Sequence, residues 1–374
     1  MKIVALREHL RSIFISPLRL VDKFLVAIIA ISFFFGLIMV VTASPMIAAK
    51  LNLESFYFIK RHIFYLSIGC MAIYIIALLP EQLVKRLAIF GFVISLFALV
   101  FVLFKGYEVK GARRWINLGL FSLQPSEFAK TFFIVFVAWI ISIRYKHPDF
   151  PVFMISAIAY SLVVALLLLQ PDFGMAVMFS IIWVGELFIG GLSILWLGIM
   201  GVTGIIGISF AYIFLPHVKA RIDLFLDPHN FGNYQIKKAI EAFKQGGFSG
   251  VGPGEGMIKK HVPDAHTDFI FAVIGEEMGF IACIFLIIMF VLLVSRGLYL
   301  ISHTNNKFKM LAVSGILIQI GMQAIFNIGM TLHLFPTKGM TLPFISYGGS
   351  SIIATAIAIG IMLSLTKKNE KLHT

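Results

Sequence analysis

A short segment of the chain concentrates side chains that could move a proton. His261 to Asp268 contains two histidines and two aspartates and leads directly into a long apolar run. Asp264 and Asp268 are four residues apart, so on a helix they would share one face. A carboxylate in that setting, at the edge of a low-dielectric region, is suited to act as a general base. The structural alternative is that Pro263 occupies a first helical turn and that Asp264 or Thr267 caps the following helix.

The same segment could be interpreted as a metal site. However, two histidines and two aspartates at this spacing fit no common zinc pattern. Mg²⁺ needs only one or two carboxylates when a substrate supplies phosphate oxygens. We therefore predict no resident metal site, and we leave open that a divalent cation, Mg²⁺ or Mn²⁺, assists a phosphate-bearing substrate.

Several cations in other polar segments could hold phosphate oxygens. Arg113 and Arg114 are adjacent, and Lys260 and Lys338 lie in separate loops. A guanidinium group matches phosphate and carboxylate oxygens in shape and charge. Contact with lipid headgroups at the membrane surface is the alternative role for these cations.

Some ionisable residues lie inside apolar runs. Glu127 and Lys130 are three residues apart, so they would share a helix face and could pair. Such residues are costly within a membrane and usually face a bundle interior or a cavity. We predict that this is a buried structural pair lining a central cavity. Glu186, Glu276 and Glu277 have similarly apolar neighbours.

Two further stretches precede the acidic segment. Residues 234–243 carry apolar side chains at the spacing of one helix face, which predicts a short helix on the membrane surface. The glycine-rich stretch 246–256 matches neither common phosphate-binding glycine motif, so nucleotide binding is not expected. It should either bring backbone close to a ligand or a neighbouring helix, or serve as a plain connector.

These segments belong to a chain that is too apolar to be soluble. Of its 374 residues, 59% are hydrophobic and 13% are charged, whereas soluble domains have roughly 25% charged residues. This composition excludes a soluble enzyme and a disordered chain, and two cysteines exclude a disulfide scaffold. The net charge of +13 is not arranged as a basic stripe with exposed aromatics, so nucleic acid is not an expected partner. We expect an all-α integral membrane protein.

Ten apolar runs are long enough to cross about 30 Å of hydrocarbon as helices. They cover, approximately, residues 23–44, 62–80, 87–104, 125–143, 151–169, 174–190, 192–215, 268–294, 309–334 and 345–365. We treat residues 1–374 as a single polytopic membrane domain. Residues 216–267 would then form one large extracytoplasmic loop between the seventh and eighth spans.

Basic residues predict the orientation of these spans. With both termini in the cytoplasm, the inner segments hold more lysines and arginines than the short outer loops, as the positive-inside rule requires. Lys2 and Arg7 near the N-terminus and Lys371 in the tail contribute to this bias. The unusual segments then fall on the outer side: residues 111–117, 170–174, 216–267 and 336–343. We therefore expect the chemistry at the outer membrane boundary.

Five motifs follow one another along the chain in a recognisable order. They are Gly111–Ile116, Gln124–Lys130, Gln170–Gly174, Pro263–Phe271 and Pro343–Ser351. Over essentially its whole length the chain thereby resembles the SEDS family of bacterial cell-wall proteins, which act in shape, elongation, division and sporulation. Within that family, the segment Pro336–Pro343 is more similar to the cell-division members than to the elongation members.

The resemblance implies a ten-span peptidoglycan glycosyltransferase that polymerises lipid II at the outer face of the bacterial cytoplasmic membrane. It also implies a class B penicillin-binding transpeptidase and other division proteins as partners. The family's essential acid falls on Asp268. Asp264 departs from the family pattern, in which a glutamate is usual. The negative charge is kept, but its side chain is one methylene shorter.

These implications define a candidate site. Pyrophosphate is a good leaving group, so the reaction needs one base and phosphate-binding cations rather than the paired carboxylates of a glycoside hydrolase. We assign Asp268 as the catalytic base. The candidate substrate-binding residues are Arg113, Arg114, Lys260, Asp264, His266, Lys338, Ser346 and Tyr347.

Two other functions remain open at this point. A transporter, such as a flippase for the same lipid, would also have many spans with buried charges, but it would often show internal repeats and a site near the midplane. We see no two-fold repeat, and the motifs gather on one side. A non-catalytic scaffold for division proteins would leave the polar run 263–268 without a purpose.

Overall fold

In this computed structural model, residues 20–109, 112–119, 121–226 and 234–367 are described. Gly111, Lys2, Arg7 and Lys371, which the sequence predictions used, lie outside these ranges. In chain order the helices are α1 Lys23–Lys50, α2 Tyr57–Leu78, α3 Glu81–Lys105, α4 Pro125–Ile143, α5 Val152–Leu169, α6 Phe173–Ile189, α7 Ile194–Phe214, α8 Pro216–Leu226, α9 Tyr234–Gly246, α10 Ile270–Ser302, α11 Lys307–Thr331 and α12 Gly349–Leu365.

Each of the ten predicted spans corresponds to one helix. Within the described ranges, eight helices are long and apolar enough to cross a membrane, and α6 and α12 are apolar helices of 17 residues each. The helices α4 and α11 lie at the centre of the bundle and are mostly buried. By contrast α7 is peripheral, with Ala211 as its one buried residue in the range described for it. The expected membrane fold built from α-helical spans is therefore confirmed.

A small antiparallel sheet interrupts the helical pattern between α3 and α4. Its strands are β1 Tyr107–Val109, β2 Ala112–Asn117 and β3 Ser122–Leu123, in the spatial order β1-β2-β3. Glu108 lies opposite Arg113 in the register of the first pair. Successive side chains in a strand point to opposite faces, so Arg113 and Arg114 diverge. The sequence did not predict this sheet.

The segment 216–267 contains more structure than expected. It holds the unpredicted helix α8, the predicted helix α9 and a short 3₁₀ helix, Ile258–His261. The apolar face of α9 was expected to lie on the membrane surface, but it packs against the start of α10. The rings of Phe243 and Phe271 are 5.6 Å apart. Gly246 meets the backbone of Gly275 where a Cβ would overlap.

Helix α10 is broken at Gly279, which has a φ of 74° and a ψ of −172°. A break in an apolar helix leaves amide and carbonyl groups that need other partners. The glycine-rich loop supplies these partners. The amides of Val251 and Gly252 each donate to carbonyl oxygens of α10, from Glu276 and Glu277, at 3.0 Å.

The same loop also receives hydrogen bonds from the far side of the break. The amide of Phe280 donates to the carbonyl oxygen of Gly247 at 3.0 Å, and that of Ile281 donates to Phe248 at 3.3 Å. A Cβ at Gly250 would overlap the carbonyl oxygen of Glu277. The glycine-rich stretch thus brings backbone close to a neighbouring helix, which was one of the two roles expected for it.

A buried ionic cluster ties the 3₁₀ helix to α10. The Glu276 carboxylate accepts the amides of Ile258 and Lys259 at 2.6 and 2.8 Å. The ammonium group of Lys259 pairs with Glu277 and also donates to the carbonyl oxygen of Thr42 on α1 at 2.9 Å. Both glutamates are almost fully buried. The turn that lies between Lys259 and α10 is therefore held at both of its ends.

Candidate active site

A cavity of about 590 Å³ lies where the N-terminal ends of α4, α10 and α12 meet. The residues that immediately precede these helices, Gln124, Phe269 and Gly348, line it, and no helix-capping side-chain bond is made by any of the three. The N-terminal end of a helix carries partial positive charge and free amides. Three such ends directed at one space favour an anion there.

The cavity is lined by charged side chains of both signs. Its acids are Glu127, Asp264 and Asp268, and its cations are Arg61, Arg114, Arg221 and Lys338. Two tyrosines, Tyr65 and Tyr347, and several serines and threonines also line it. The structure therefore brings the predicted base and two of the predicted phosphate-binding cations to one place.

The acidic residues lie in a turn and not on a helix. Helix α10 begins at Ile270, so the prediction that Asp264 and Asp268 share a helix face is wrong. Pro263 is likewise outside the helix, and neither Asp264 nor Thr267 is the residue that caps it. Asp264 adopts a φ of +54°, which folds the chain back so that its carbonyl oxygen accepts the amides of Thr267 at 3.0 Å and Phe269 at 3.3 Å.

Hydrogen bonds from the loop before α12 and from α11 fix the Asp268 turn. The carbonyl oxygens of three successive residues each accept a bond. Tyr347 donates its amide to His266 at 2.9 Å, and Ser346 donates its hydroxyl to Thr267 at 2.6 Å. Asn327 donates its side-chain amide to Asp268 at 2.8 Å.

Gly339 allows the loop before α12 to approach the Asp268 carboxylate. A Cβ built at Gly339 would lie 2.7 Å from Oδ2 of Asp268, so no larger residue fits without displacing the carboxylate. The preceding residue, Lys338, lies in the same loop and lines the same cavity. Asp268 and Lys338 thus come from two segments in direct contact.

Lys338 is suited to receive an anion. Its ammonium nitrogen is buried, makes no hydrogen bond within the described part of the chain and lies 4.0 Å from Oδ1 of Asp172. Burial lowers the pKa of Lys338 to about 8, although the Asp172 carboxylate opposes this shift. A buried cation with its donors unused gains hydrogen bonds when a phosphate enters.

Two arginines line the cavity together with Lys338. Arg114 donates to the carbonyl oxygens of Gln170, at 3.2 Å, and Pro171, and its Nε is 3.7 Å from Oδ2 of Asp172. Arg221, on α8, is the second: burial and then the positive charge of Arg114 lower its pKa. Mutual repulsion between cations is relieved by an anion, so the group is electrostatically prepared for phosphate.

Two of the predicted phosphate-binding cations lie elsewhere. Arg113 does not line the cavity, since its guanidinium points away and pairs with Glu108 at 3.4 Å, with both side chains more than half exposed. Lys260 is also outside the cavity, and its carbonyl oxygen accepts a bond from Lys50. The predicted roles of Arg113 and Lys260 in phosphate binding are therefore wrong.

The remaining predicted residues divide into two groups. Asp264 and Tyr347 line the cavity, as a substrate-binding role requires. His266 and Ser346 are buried behind it: the His266 ring packs 4.7 Å from that of Phe58, and burial lowers its pKa to about 4, so it is neutral at physiological pH. These two residues support the acidic turn and are not placed to contact substrate.

Glu127 and Lys130 form the buried pair that their spacing predicts. The ammonium group of Lys130 donates to Oε2 of Glu127 at 3.0 Å and to Oε1 of Gln323 at 2.9 Å. Gln323 in turn donates to the carbonyl oxygen of Thr341 at 3.0 Å. Glu127 lines the cavity, and Lys130 is buried below it.

The described residues contain no cluster of three or more side chains suited to hold a metal ion. Asp264 and Asp268 both line the cavity. They could give one or two carboxylate ligands to a Mg²⁺ or Mn²⁺ ion whose other ligands were substrate phosphates and water.

Comparison with known proteins connects this geometry to a family. The sequence model named for FtsW, RodA and SpoVE, described as "Cell cycle protein", matches residues 22–371. The chain belongs to the FtsW/RodA/SpoVE family. The SEDS resemblance carried by the five motifs is thereby confirmed, and the chain is a multi-pass membrane protein.

Curated relatives of the chain share the name FtsW. A "Probable peptidoglycan glycosyltransferase FtsW" from Caulobacter vibrioides is 37% identical over 348 residues, covering 93% of this chain and 89% of the relative. A protein with the same name from Trichlorobacter lovleyi is 36% identical over 367 residues, covering 94% of each.

Solved structures of the FtsW/RodA/SpoVE type have the same fold. One, described as "Structural coordination of polymerization and crosslinking by a peptidoglycan synthase complex", matches with a TM-score of 0.79 at 28% identity, covering 92% of this chain and 97% of the other. The RodA crystal structure from Thermus thermophilus matches with a TM-score of 0.67 at 27% identity, covering 92% and 96%.

Three further residues of the site were not predicted from the sequence. Arg61 and Arg221 line the cavity, and Asn327 holds the acidic turn. His217 and Arg221 are four residues apart, which on a helix would have marked a cationic face. Gln319, Gln323 and Asn327 recur every four residues within one apolar run, which would have marked a polar face on α11.

Proposed function

We propose that this chain polymerises lipid II into glycan strands at the outer face of the bacterial cytoplasmic membrane during septal wall synthesis, with Asp268 as the general base. The carrying observation is that Asp268 opens into a cavity lined by four cations and by the ends of three helices. The proposal is supported by the relatives named peptidoglycan glycosyltransferase and by the resemblance of the segment 336–343 to division members.

The reaction follows from the charges around the cavity. The Asp268 carboxylate takes the proton of an acceptor sugar hydroxyl as that oxygen attacks the anomeric carbon of the donor. The bond from this carbon to the pyrophosphate oxygen breaks, and the pyrophosphate leaves on its lipid. Arg114, Arg221 and Lys338 stabilise the negative charge that grows on the leaving oxygen.

The remaining cavity residues have supporting roles. Arg61 and Tyr347 contact the second, acceptor substrate, whose lipid also carries a pyrophosphate. Asp264 keeps the potential near Asp268 negative and thereby favours capture of the hydroxyl proton. Glu127 and Lys130 hold the floor of the cavity through their buried pair.

The outward orientation of the site and its partner belong to the same proposal. With both termini in the cytoplasm, the loops that form the cavity face the periplasm or cell exterior. The partner is a class B penicillin-binding transpeptidase that cross-links the new strands. This is consistent with the similarity to a structure of a peptidoglycan synthase complex.

The three candidate functions are separated by one assay. Purified protein with its transpeptidase receives fluorescent lipid II in detergent and, in parallel, in vesicles. A polymerase makes glycan chains, and Asp268→Ala abolishes them. Lipid movement between leaflets without polymer would support a flippase. If the protein makes no polymer and moves no lipid, the scaffold function is supported.

Arg113 and Arg114 provide a matched pair in that assay. Arg114→Gln removes a cavity cation and should lower kcat/KM by at least about tenfold, as loss of a charge-assisted hydrogen bond does. Arg113→Gln removes the same charge from the opposite face of β2 and should stay within about twofold of the parent. Equal losses in the two variants would contradict the placement of the pyrophosphate.

A further inference from the structure

The side chain of Asn327 joins the two segments that form the reacting centre. Its Nδ2 donates to the carbonyl oxygen of Asp268 at 2.8 Å and to that of Met340 at 2.5 Å. Asn327 is fully buried on α11, close to the end of the helix that faces the cavity. One nitrogen therefore holds the turn that carries the acid and the loop that carries Lys338.

The chemistry of this link is specific to a primary amide of this length. A single nitrogen with two hydrogens can donate to two carbonyl oxygens at once. A carboxylate of the same shape has no hydrogen to donate, and an apolar side chain would leave both carbonyls unpaired. Glutamine would place its nitrogen one methylene farther from the backbone of α11.

The two linked segments touch at the carboxylate itself. Gly339 lies next to Met340, and a Cβ on it would be 2.7 Å from Oδ2 of Asp268. A small change in the separation of the two backbones therefore moves the Asp268 carboxylate. The same change alters its distance from Lys338, which precedes Gly339 in the loop.

We infer that Asn327 is a positioning residue, which sets the distance between the Asp268 carboxylate and the loop that carries Lys338. The inference rests on the proposed function, because the separation matters only if Asp268 acts on a substrate held by Lys338. A misplacement of about 1 Å between a catalytic group and its substrate can cost on the order of 10²-fold in rate.

Gln319 supplies a matched control on the same helix. It lies on the same face of α11, eight residues earlier, and is also fully buried. Neither polar atom of its side chain has a hydrogen-bond partner within the described part of the chain. Gln319→Leu thus removes a buried amide without touching the acidic turn.

The test compares Asn327→Asp and Asn327→Leu with Gln319→Leu in the full chain with its transpeptidase. We expect both Asn327 variants to lower kcat for lipid II polymerisation by about 10- to 100-fold, with KM within about threefold, because substrate binding does not use this amide. Gln319→Leu should stay within about twofold in both constants. A kcat unchanged in Asn327→Asp would overturn the inference.

A double variant separates positioning from a general loss of structure. Asp268→Glu already displaces the carboxylate by one methylene, so adding Asn327→Asp should cost much less than it costs in the parent. An equal cost in the two backgrounds would show that Asn327 acts independently of the acid and would overturn the inference. If the Asn327 variants do not fold, Gly339→Ala displaces the same carboxylate and must lower kcat by a similar factor.

The variants Asp268→Asn and Asn327→Asp together separate an error in the role of Asn327 from an error in the proposed function. If Asp268→Asn still polymerises lipid II at the parent rate, the proposed function is wrong. If Asp268→Asn is inactive and Asn327→Asp is fully active, only the positioning role of Asn327 is wrong.

Discussion

The rate of polymerisation should fall at alkaline pH because Lys338 loses its proton. Burial lowers the pKa of this ammonium group from 10.5 to about 8, so it loses its proton within an accessible pH range. Only the charged form attracts the pyrophosphate of lipid II. At one pH unit above the pKa, about a tenth of the free protein is charged. We therefore expect kcat/KM at pH 9 to be about tenfold lower than at pH 7.

The assay is the initial rate of glycan formation at subsaturating lipid II, measured from pH 6 to pH 9.5. Under these conditions the rate follows kcat/KM, which reports the ionisation of the free enzyme. Lys338→Arg is the control, because a guanidinium group stays charged throughout this range. Its profile should be flat between pH 7.5 and 9.5. A parent profile with no decline above pH 8, or a Lys338→Arg profile that declines in the same way, would show that Lys338 does not set this limit.

The same pKa predicts how stability changes with pH in the absence of substrate. In the native protein the pKa of Lys338 lies below its value in the unfolded chain, so between about pH 8 and 10.5 the unfolded chain binds more protons. Stability therefore rises with pH across this window, by up to roughly 3 kcal/mol. The thermal unfolding midpoint of the substrate-free protein should be higher at pH 9.5 than at pH 7.5, and Lys338→Met should remove the difference.

Two further predictions concern stability and can be checked by thermal unfolding of the purified protein. Gly250→Ala should destabilise by about 3 kcal/mol or more, because a Cβ would overlap the backbone of α10 at a residue with a φ of +81°. Gly254→Ala, at a φ of +88° with open space around it, should cost only about 1 kcal/mol, and equal losses would contradict the role of the loop. Lys130→Met alone should cost about 3–5 kcal/mol, because it leaves the Glu127 carboxylate buried without its cation. Combining it with Glu127→Gln should recover most of this loss, whereas additive losses would show that the two side chains do not stabilise each other.

The spans were predictable because their physical requirement is simple. About 20 apolar residues must cross the hydrocarbon as a helix, and each of the ten predicted runs does form a helix. Glu127 and Lys130 were predictable for a similar reason, since three residues of separation on one helix fix their distance. Features set by local spacing on a regular helix were therefore accessible from the sequence.

Features that depend on contacts between distant segments could not be predicted from the sequence. Gly279 looks like any glycine in an apolar run, and its break is stabilised by a loop about 30 residues earlier. Asp264 and Asp268 appeared to begin a helix, but the helix starts later because Asn327, Ser346 and Tyr347 hold the turn from elsewhere in the chain.

The choice between neighbouring cations also required the structure. Arg113 and Arg114 have the same chemistry, and only the unpredicted strand β2 puts one of them in the cavity. Lys259 and Lys260 present the same difficulty, since the first is buried in an ionic cluster and the second is outside the site. Sequence identified the right segments but could not tell which face each residue would occupy.

Whether Asp268 is the base for glycan polymerisation can be measured with a single substitution. Asp268→Asn keeps the size of the side chain and removes its ability to accept a proton as a carboxylate does. At saturating lipid II, in complex with the transpeptidase, we expect a kcat about 10²- to 10⁴-fold below that of the parent, with lipid II still bound at similar affinity. A kcat within about threefold of the parent would show that Asp268 is not the base.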